Sequence, residues 1–208
     1  MNLQEFKKEL FKRGRKKGFC DMELFQNESR SFDLRVFKQD IDHYSINEDE
    51  GYSFRGSMDG KIGYAYTEKL DEAAIDMLLK NALQNSKILD KKEGEIFSGS
   101  ESYKDVEYYQ KELNNIMPEE KISLIKSLEK EALDYDQRVN AVNYCLYSDI
   151  EFENKIMNSK GLNLEFKNNI AYIYLSVIVK DKNDVRTASK YQITQNFNNF
   201  DVKDTAHK

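Results

Sequence analysis

The sequence predicts an α+β fold: two similar units, each a helix followed by an antiparallel meander, with the helices packed on mostly antiparallel sheets. Apolar residues recur at helical spacing in three separate segments, and between them the hydrophobic period shifts to two. The order helix, strands, helix then returns at an offset of roughly 116 to 123 residues, which reads as an internal structural duplication.

The first helix is marked by Leu3, Phe6 and Leu10, with Lys7, Lys8, Lys12, Arg15 and Lys16 largely on other faces and Gly14 and Gly18 near its end. Cys20, Met22 and Leu24 then alternate with Asp21 and Glu23, and Phe32, Leu34 and Val36 alternate with Ser31, Asp33 and Arg35, as in strands with one wet face. Further short strands are expected at 41–48, 51–57 and 61–67, the last two joined by a tight turn at Asp59-Gly60. Asp71 is the expected N-cap of a second helix, whose inner face carries Ile75, Leu78, Leu79 and Ala82 and which ends near Lys87.

Residues 88–117 are rich in Lys, Glu, Ser and Gly and read as a polar surface connection with one short helix near 105–114. Pro118 suits the first position of a helix, and Glu119 and Glu120 favour its positive end. Ile122, Ile125, Leu128, Ala132 and Leu133 form that helix's buried stripe. Strands are expected at 138–148, 150–157, 162–168, 170–180 and 185–195, with a polar turn at 181–184 and a helical restart near Asp201. The expected organisation is therefore a helix, five-strand and helix unit over 1–87, the connection over 88–117, and a second helix and five-strand unit over 118–208, cut short at its closing helix.

Composition narrows the function. With 39% hydrophobic residues over 208 positions, the chain can bury one substantial core or two small ones. Its 32 basic and 37 acidic residues give a mixed surface with net charge -5, which disfavours nucleic acid as a partner. No apolar run is long enough to span a bilayer, and Met1–Leu10 lacks the apolar core of a secretory signal, so no membrane partner and a cytoplasmic location are expected. Cys20 and Cys145 read as reduced, buried small residues.

Motifs for chemistry are missing. The two histidines, His43 and His207, have no partner at the spacing by which a helix presents zinc ligands, so neither a metal nor a catalytic site is expected in the chain. There is no Walker loop, GxGxxG or GxSxG. The basic run Lys12-Arg13-Gly14-Arg15-Lys16-Lys17 sits where cations complement a helix C-terminus, and that reading outweighs a phosphate contact. Tyr64, Tyr66, Tyr172 and Tyr174 read as strand formers before they read as a stacking face.

Short segments of the chain carry a resemblance. Asp21-Met22-Glu23-Leu24-Phe25, Glu28-Ser29-Arg30-Ser31-Phe32, Glu50-Gly51-Tyr52-Ser53-Phe54-Arg55 and Asp59-Gly60-Lys61-Ile62-Gly63-Tyr64-Ala65 follow one another in the first half. Glu131-Ala132-Leu133 with Asp136 and Arg138, then Met157-Asn158-Ser159-Lys160-Gly161, follow in the second. In order and spacing these resemble the amino-terminal region of the TldD/PmbA family, also named for modulation of DNA gyrase, and they look closer to the PmbA type. The resemblance implies a zinc metallopeptidase complex of two homologous subunits acting on peptides, with an HExxxH motif in a later domain of one subunit type. It implies for this chain a non-catalytic amino-terminal domain that helps to enclose a peptide-binding chamber and a subunit interface. No cofactor is then expected in the chain itself, with zinc only in the catalytic subunit; the expected partners are a homologous subunit, as homo- or heterodimer, and a peptide. Arg55, Asn158, Ser159 and Gly161 are the expected chamber or partner contacts, although turn geometry accounts equally well for the last three. The alternative is a free-standing regulatory module without enzymatic activity.

Overall fold

The computed structural model of the chain describes residues 1–90, 95–99, 103–104 and 106–207. Its elements in chain order are α1 (Leu3–Lys16), β1 (Asp21–Phe37), β2 (Asp40–Met58), β3 (Lys61–Thr67), α2 (Glu72–Ile88), α3 (Lys111–Asn114), α4 (Pro118–Tyr135), β4 (Val139–Asn158), β5 (Asn163–Asp181), β6 (Asp184–Thr194), a 3-10 turn (Phe197–Asn199) and α5 (Val202–His207). The strands form one six-stranded sheet in the order β3-β2-β1-β4-β5-β6, and both outer pairs, β2 with β3 and β5 with β6, are antiparallel. The fold is α+β, and the order helix, three strands, helix occurs twice along the chain.

The helices begin where their chemistry directs. Asn2 Oδ1 accepts from the Glu5 amide and Glu5 Oε2 from the Asn2 amide, closing a capping box on α1. Asp71 Oδ1 accepts from Ala74 N at 2.7 Å at the head of α2, and Pro118 opens α4. The α1 stripe buries Phe6 and Leu10, α2 buries Ile75, Leu78, Leu79 and Ala82, and α4 buries Ile125, Leu128 and Ala132. Leu133, expected in that stripe, is instead 39% exposed.

The strand count differs from expectation. Five short strands per repeat were implied by the pattern; each repeat has three long ones. The polar stretch Asn27-Glu28-Ser29-Arg30 stays extended inside β1 rather than turning. The break expected between 48 and 51 is absent as well, and Gly51 lies within β2, buried against the Tyr66 ring. The chain reverses at Lys38-Gln39, in the connection left between the expected strands, where both residues have positive φ, 54° and 66°. That conformation suits Asn-Gly and strains Lys-Gln. It is held by the Glu129 carboxylate of α4, which accepts from Lys38 N at 2.8 Å, Gln39 N at 2.6 Å and Gln39 Nε2 at 2.9 Å. Glu129 is 1% exposed, so these are charge-assisted bonds in a dry site.

The chain divides into two compact units that are discontinuous in sequence. Unit 1 comprises Met1–Glu28, Asp49–Val106 and Glu153–Phe166. Its core joins Phe6 and Leu10 of α1 to Met22 and Leu24, Tyr52 and Phe54, Ala65, the inner face of α2 and Met157. Unit 2 comprises Ser29–Glu48, Glu107–Phe152 and Lys167–Lys208. Its core gathers Phe32, Leu34 and Val36, Leu113, the α4 stripe, Val142, Cys145 and Tyr147, and Ala171, Ile173 and Leu175.

Of the expected connection, residues 91–94, 100–102 and 105 lie outside the described residues. The described part is not simply a surface segment, because Ile96 is 3% and Leu113 1% exposed. The short helix expected near 105–114 is α3, a single turn. Asn169 fastens this stretch from β5: its Nδ2 donates to Gln110 O and Asn114 Oδ1, and its Oδ1 accepts from Gln110 N. Cys145 is buried as expected; Cys20 was expected buried but is exposed, because it lies in the bend before β1 and outside the strand that carries Met22 and Leu24 into the core.

Candidate functional site

In unit 1, two of the four residues singled out in the sequence, Arg55 and Asn158, meet the segment 95–99, and Ser159 and Gly161 lie in the turn that follows Asn158. Asn158 ends β4, and its Oδ1 accepts from Lys160 N at 2.9 Å and Leu162 N at 3.0 Å, an Asx-type closure of the turn into β5. Its Nδ2 donates to Phe97 O at 2.8 Å. Ser159 pairs with β1 through both of its polar groups: its amide donates to Met22 O at 2.8 Å, and its Oγ accepts from Met22 N at 3.0 Å. Gly161 has φ 99°, the left-handed region in which a side chain is strained. Lys160 Nζ reaches Asp21 at 3.3 Å and Ile96 O at 3.3 Å. Gly99 passes so close that a Cβ there would stand 1.9 Å from Lys160 O.

Arg55 meets the same segment from the sheet. Its Nε donates to Glu23 Oε1 at 2.8 Å, and its guanidinium stacks over the Phe97 ring at 5.5 Å. Glu23 is 2% exposed, and among the described residues its Oε2 has no hydrogen-bond partner. Arg55 and Asn158 are therefore brought together through Phe97, one at its ring and the other at its carbonyl. Ser159 and Gly161 stay in the turn. The polar atoms of Asn158 and Ser159 are engaged by the fold itself, while Arg55 keeps a side chain 34% exposed.

Unit 2 holds a recess of about 350 Å³ that sequence reasoning did not anticipate. Lys121 and Asp149 meet in it as an ion pair at 2.5 Å, and Lys121 Nζ lies 4.3 Å from the Phe32 ring centroid. Ile46, Met117 and Pro118 give it apolar walls. The signal that could have found Lys121 is its i+4 relation to Ile125, which places it beside the buried stripe. Nearby, burial pushes the Cys145 thiol up, with the Glu129 charge adding to it, so the group is a protonated packing residue whose Sγ donates to Ile125 O.

Two family models match the chain: the PmbA/TldA metallopeptidase domain 1 over residues 22–86, and the PmbA/TldA metallopeptidase central domain over residues 111–208. The chain belongs to the PmbA/TldD family. Solved structures share its fold. One described as a candidate modulator of a DNA gyrase, from Thermotoga maritima, is 24% identical, with a TM-score of 0.87, over 99% of this chain and 46% of that one. TldE from Thermococcus kodakarensis is 20% identical, with a TM-score of 0.84, over 97% and 45%. A candidate modulator of DNA gyrase from Bacteroides thetaiotaomicron is 19% identical, with a TM-score of 0.84, over 98% and 47%. The chain thus spans about half the length of the solved structures it matches. A comparison with curated proteins gave no match.

A PmbA/TldD metallopeptidase implies a metal, and the described residues do not fit one. Among them there is no group of three or more His, Cys, Asp or Glu placed to hold an ion. His43 Nε2 lies 3.2 Å from Ser45 Oγ, and His207 pairs with Glu131 at 2.9 Å and stacks on Tyr135 at 4.2 Å. Two members of the basic run of α1 are engaged within the fold: Lys12 pairs with Glu9 at 3.0 Å, and Arg13 bonds Glu9 at 2.7 Å and also reaches Glu72 and Asp76 of α2. No helix among the described residues is long and apolar enough to cross a membrane.

Proposed function

We propose that this PmbA/TldD chain is the non-catalytic amino-terminal domain of a zinc metallopeptidase complex, helping to enclose a peptide-binding chamber and a subunit interface. The observation that carries the reading is the pairing of two consecutive PmbA/TldD domain matches with a residue set that offers no metal ligands among the described positions. Zinc and the water it activates belong to the catalytic subunit, and the complex is cytoplasmic. Within the domain, Arg55 is the side chain best placed to touch a peptide or a neighbouring subunit, because its guanidinium is held at one edge by Glu23 and remains partly open. Asn158, Ser159 and Gly161 act behind it by fixing the turn that carries segment 95–99.

Reconstitution tests this reading. The chain is mixed with a homologous subunit bearing HExxxH, and peptide turnover and native mass are followed. The expected result is a mixed assembly whose turnover depends on the HExxxH subunit and falls with Arg55→Ala. A chain that forms no assembly and leaves turnover unchanged would favour the free-standing module.

A further inference from the structure

The Lys121–Asp149 pair in the recess of unit 2 is left unfinished by the fold. The Lys121 side chain is only 8% exposed; its Nζ meets Asp149 Oδ2 at 2.5 Å and faces the rings of Phe32 at 4.3 Å and Tyr147 at 5.4 Å. A buried pair of this kind adds little net stability over an apolar pair of the same volume, because both charges must leave water. Stability alone therefore gives no reason to place it in a recess. Nor are the polar groups of this corner used up. Asp149 Oδ1 accepts no hydrogen bond among the described residues, and the Tyr147 hydroxyl is buried without a partner. Arg30, which lines the same recess, pairs with Glu48 at 3.2 Å through Nε and stays 62% exposed, so its two terminal nitrogens remain open to a further acceptor. The other carboxylate there, Glu151, is already engaged by Lys167 and the Asn114 amide. Ile46 and Met117 add an apolar wall that nothing covers, at 46% and 59% exposure.

We propose that this recess binds a free apolar α-amino acid, with its ammonium on Asp149, its carboxylate on Arg30 and its side chain against Ile46 and Met117. With Oδ2 taken by Lys121, Oδ1 is the oxygen left for the ammonium. Size agrees with a ligand of one residue, since about 350 Å³ lies at the small end of ligand pockets. Charge selects the zwitterion. A ligand that is only an amine leaves Arg30 unused, and one that is only an acid meets the Asp149 charge with nothing to offset it. The apolar wall then separates leucine-like side chains from glycine, because covering Ile46 and Met117 removes apolar surface from water. Every residue involved belongs to unit 2, and binding here is independent of zinc and of peptide turnover.

The test titrates L-leucine into the full chain at neutral pH and low salt, with backbone amide shifts followed by NMR. The expected result is saturable binding in the millimolar range or tighter, with shifts concentrated at Arg30, Ile46, Met117 and Asp149. Leucinamide, which lacks the carboxylate, and isocaproate, which lacks the ammonium, should each bind about tenfold more weakly, the loss of one charge-assisted contact. Glycine should show no saturation over the same range. Arg30→Gln should weaken leucine about tenfold and leave leucinamide unchanged, a difference that loss of folding could not produce. Met117→Ser removes apolar wall while giving α4 a better N-cap residue, so it should weaken leucine severalfold in a chain that stays folded. No saturable binding of leucine, leucinamide binding as tightly as leucine, wild-type affinity in Arg30→Gln, or shifts confined to residues outside the recess overturns the assignment.

Discussion

Two hairpins of similar geometry are made in opposite ways. In unit 1, Asp59-Gly60 reverses the chain between β2 and β3 with φ of 52° and 79°, and the sequence itself supplies a residue at ease there. In unit 2, Lys38-Gln39 adopts the same class of turn with two residues that resist it, and a buried carboxylate on α4 holds it in place. The first turn is a local device, able to form before anything packs on it. The second is bonded to α4 through Glu129, so the β1–β2 reversal and the position of that helix are coupled in unit 2.

The largest expected effect follows from removing the holder. Glu129→Ala should cost about 3–4 kcal/mol in urea denaturation, from the loss of three charge-assisted bonds and the strain left in the turn; a cost near that of an exposed substitution would break the contrast. The buried ion pair of unit 2 comes next. Asp149→Ala leaves Lys121 uncompensated at 8% side-chain exposure and should cost about 3 kcal/mol. A local remedy sharpens the comparison further: placing Lys38→Asn and Gln39→Gly in the Glu129→Ala background should recover about 1–2 kcal/mol. In the wild-type background the same pair of changes should matter much less, and equal recovery in both would show that Glu129 does not act through the turn. In unit 1, Gly60→Ala should cost about 1–2 kcal/mol, with no dependence on residues far along the chain.

The smallest effects concern two partly exposed carboxylates, one in each unit. Glu9 is lowered to about 2, first by its hydrogen bond to Arg13 and then by Lys12, and Asp136 is lowered to about 2 by the side chain and then the amide of Arg138. Both pKa values are depressed in the folded state. Their contribution is therefore present above the ordinary carboxylate value of about 4 and fades as pH falls towards about 2. Arg13→Gln and Arg138→Gln should each return the partner carboxyl towards the ordinary range in an NMR titration, while an unmoved titration would remove the guanidinium as the cause.

What the sequence made legible was local. Asp71 as a cap, Pro118 at the head of α4 and the Asp59-Gly60 turn all depend on neighbours within four residues, and each is found as expected. What stayed hidden depends on distance along the chain. The expected strands left a connection between Val36 and residue 41, but its tight turn at Lys38-Gln39 is held by Glu129 from 90 residues away, and nothing in the local pattern distinguishes that glutamate from the charged face of α4. Ile96 stands with Phe97 in a polar stretch, and its burial goes with the close pass of Gly99 over Lys160. The candidate site was half legible. Asn158 and Gly161 read as a turn and are one, but the joining of Arg55 to Asn158 through Phe97 needed the folded chain.

The reading of this PmbA/TldD chain as a scaffold without a metal centre is tested most directly by measuring zinc and peptidase activity on the same purified sample. After dialysis against metal-free buffer, the expected result is zinc far below one equivalent and no peptide turnover. One tightly held equivalent of zinc, or turnover by the chain alone, would contradict it.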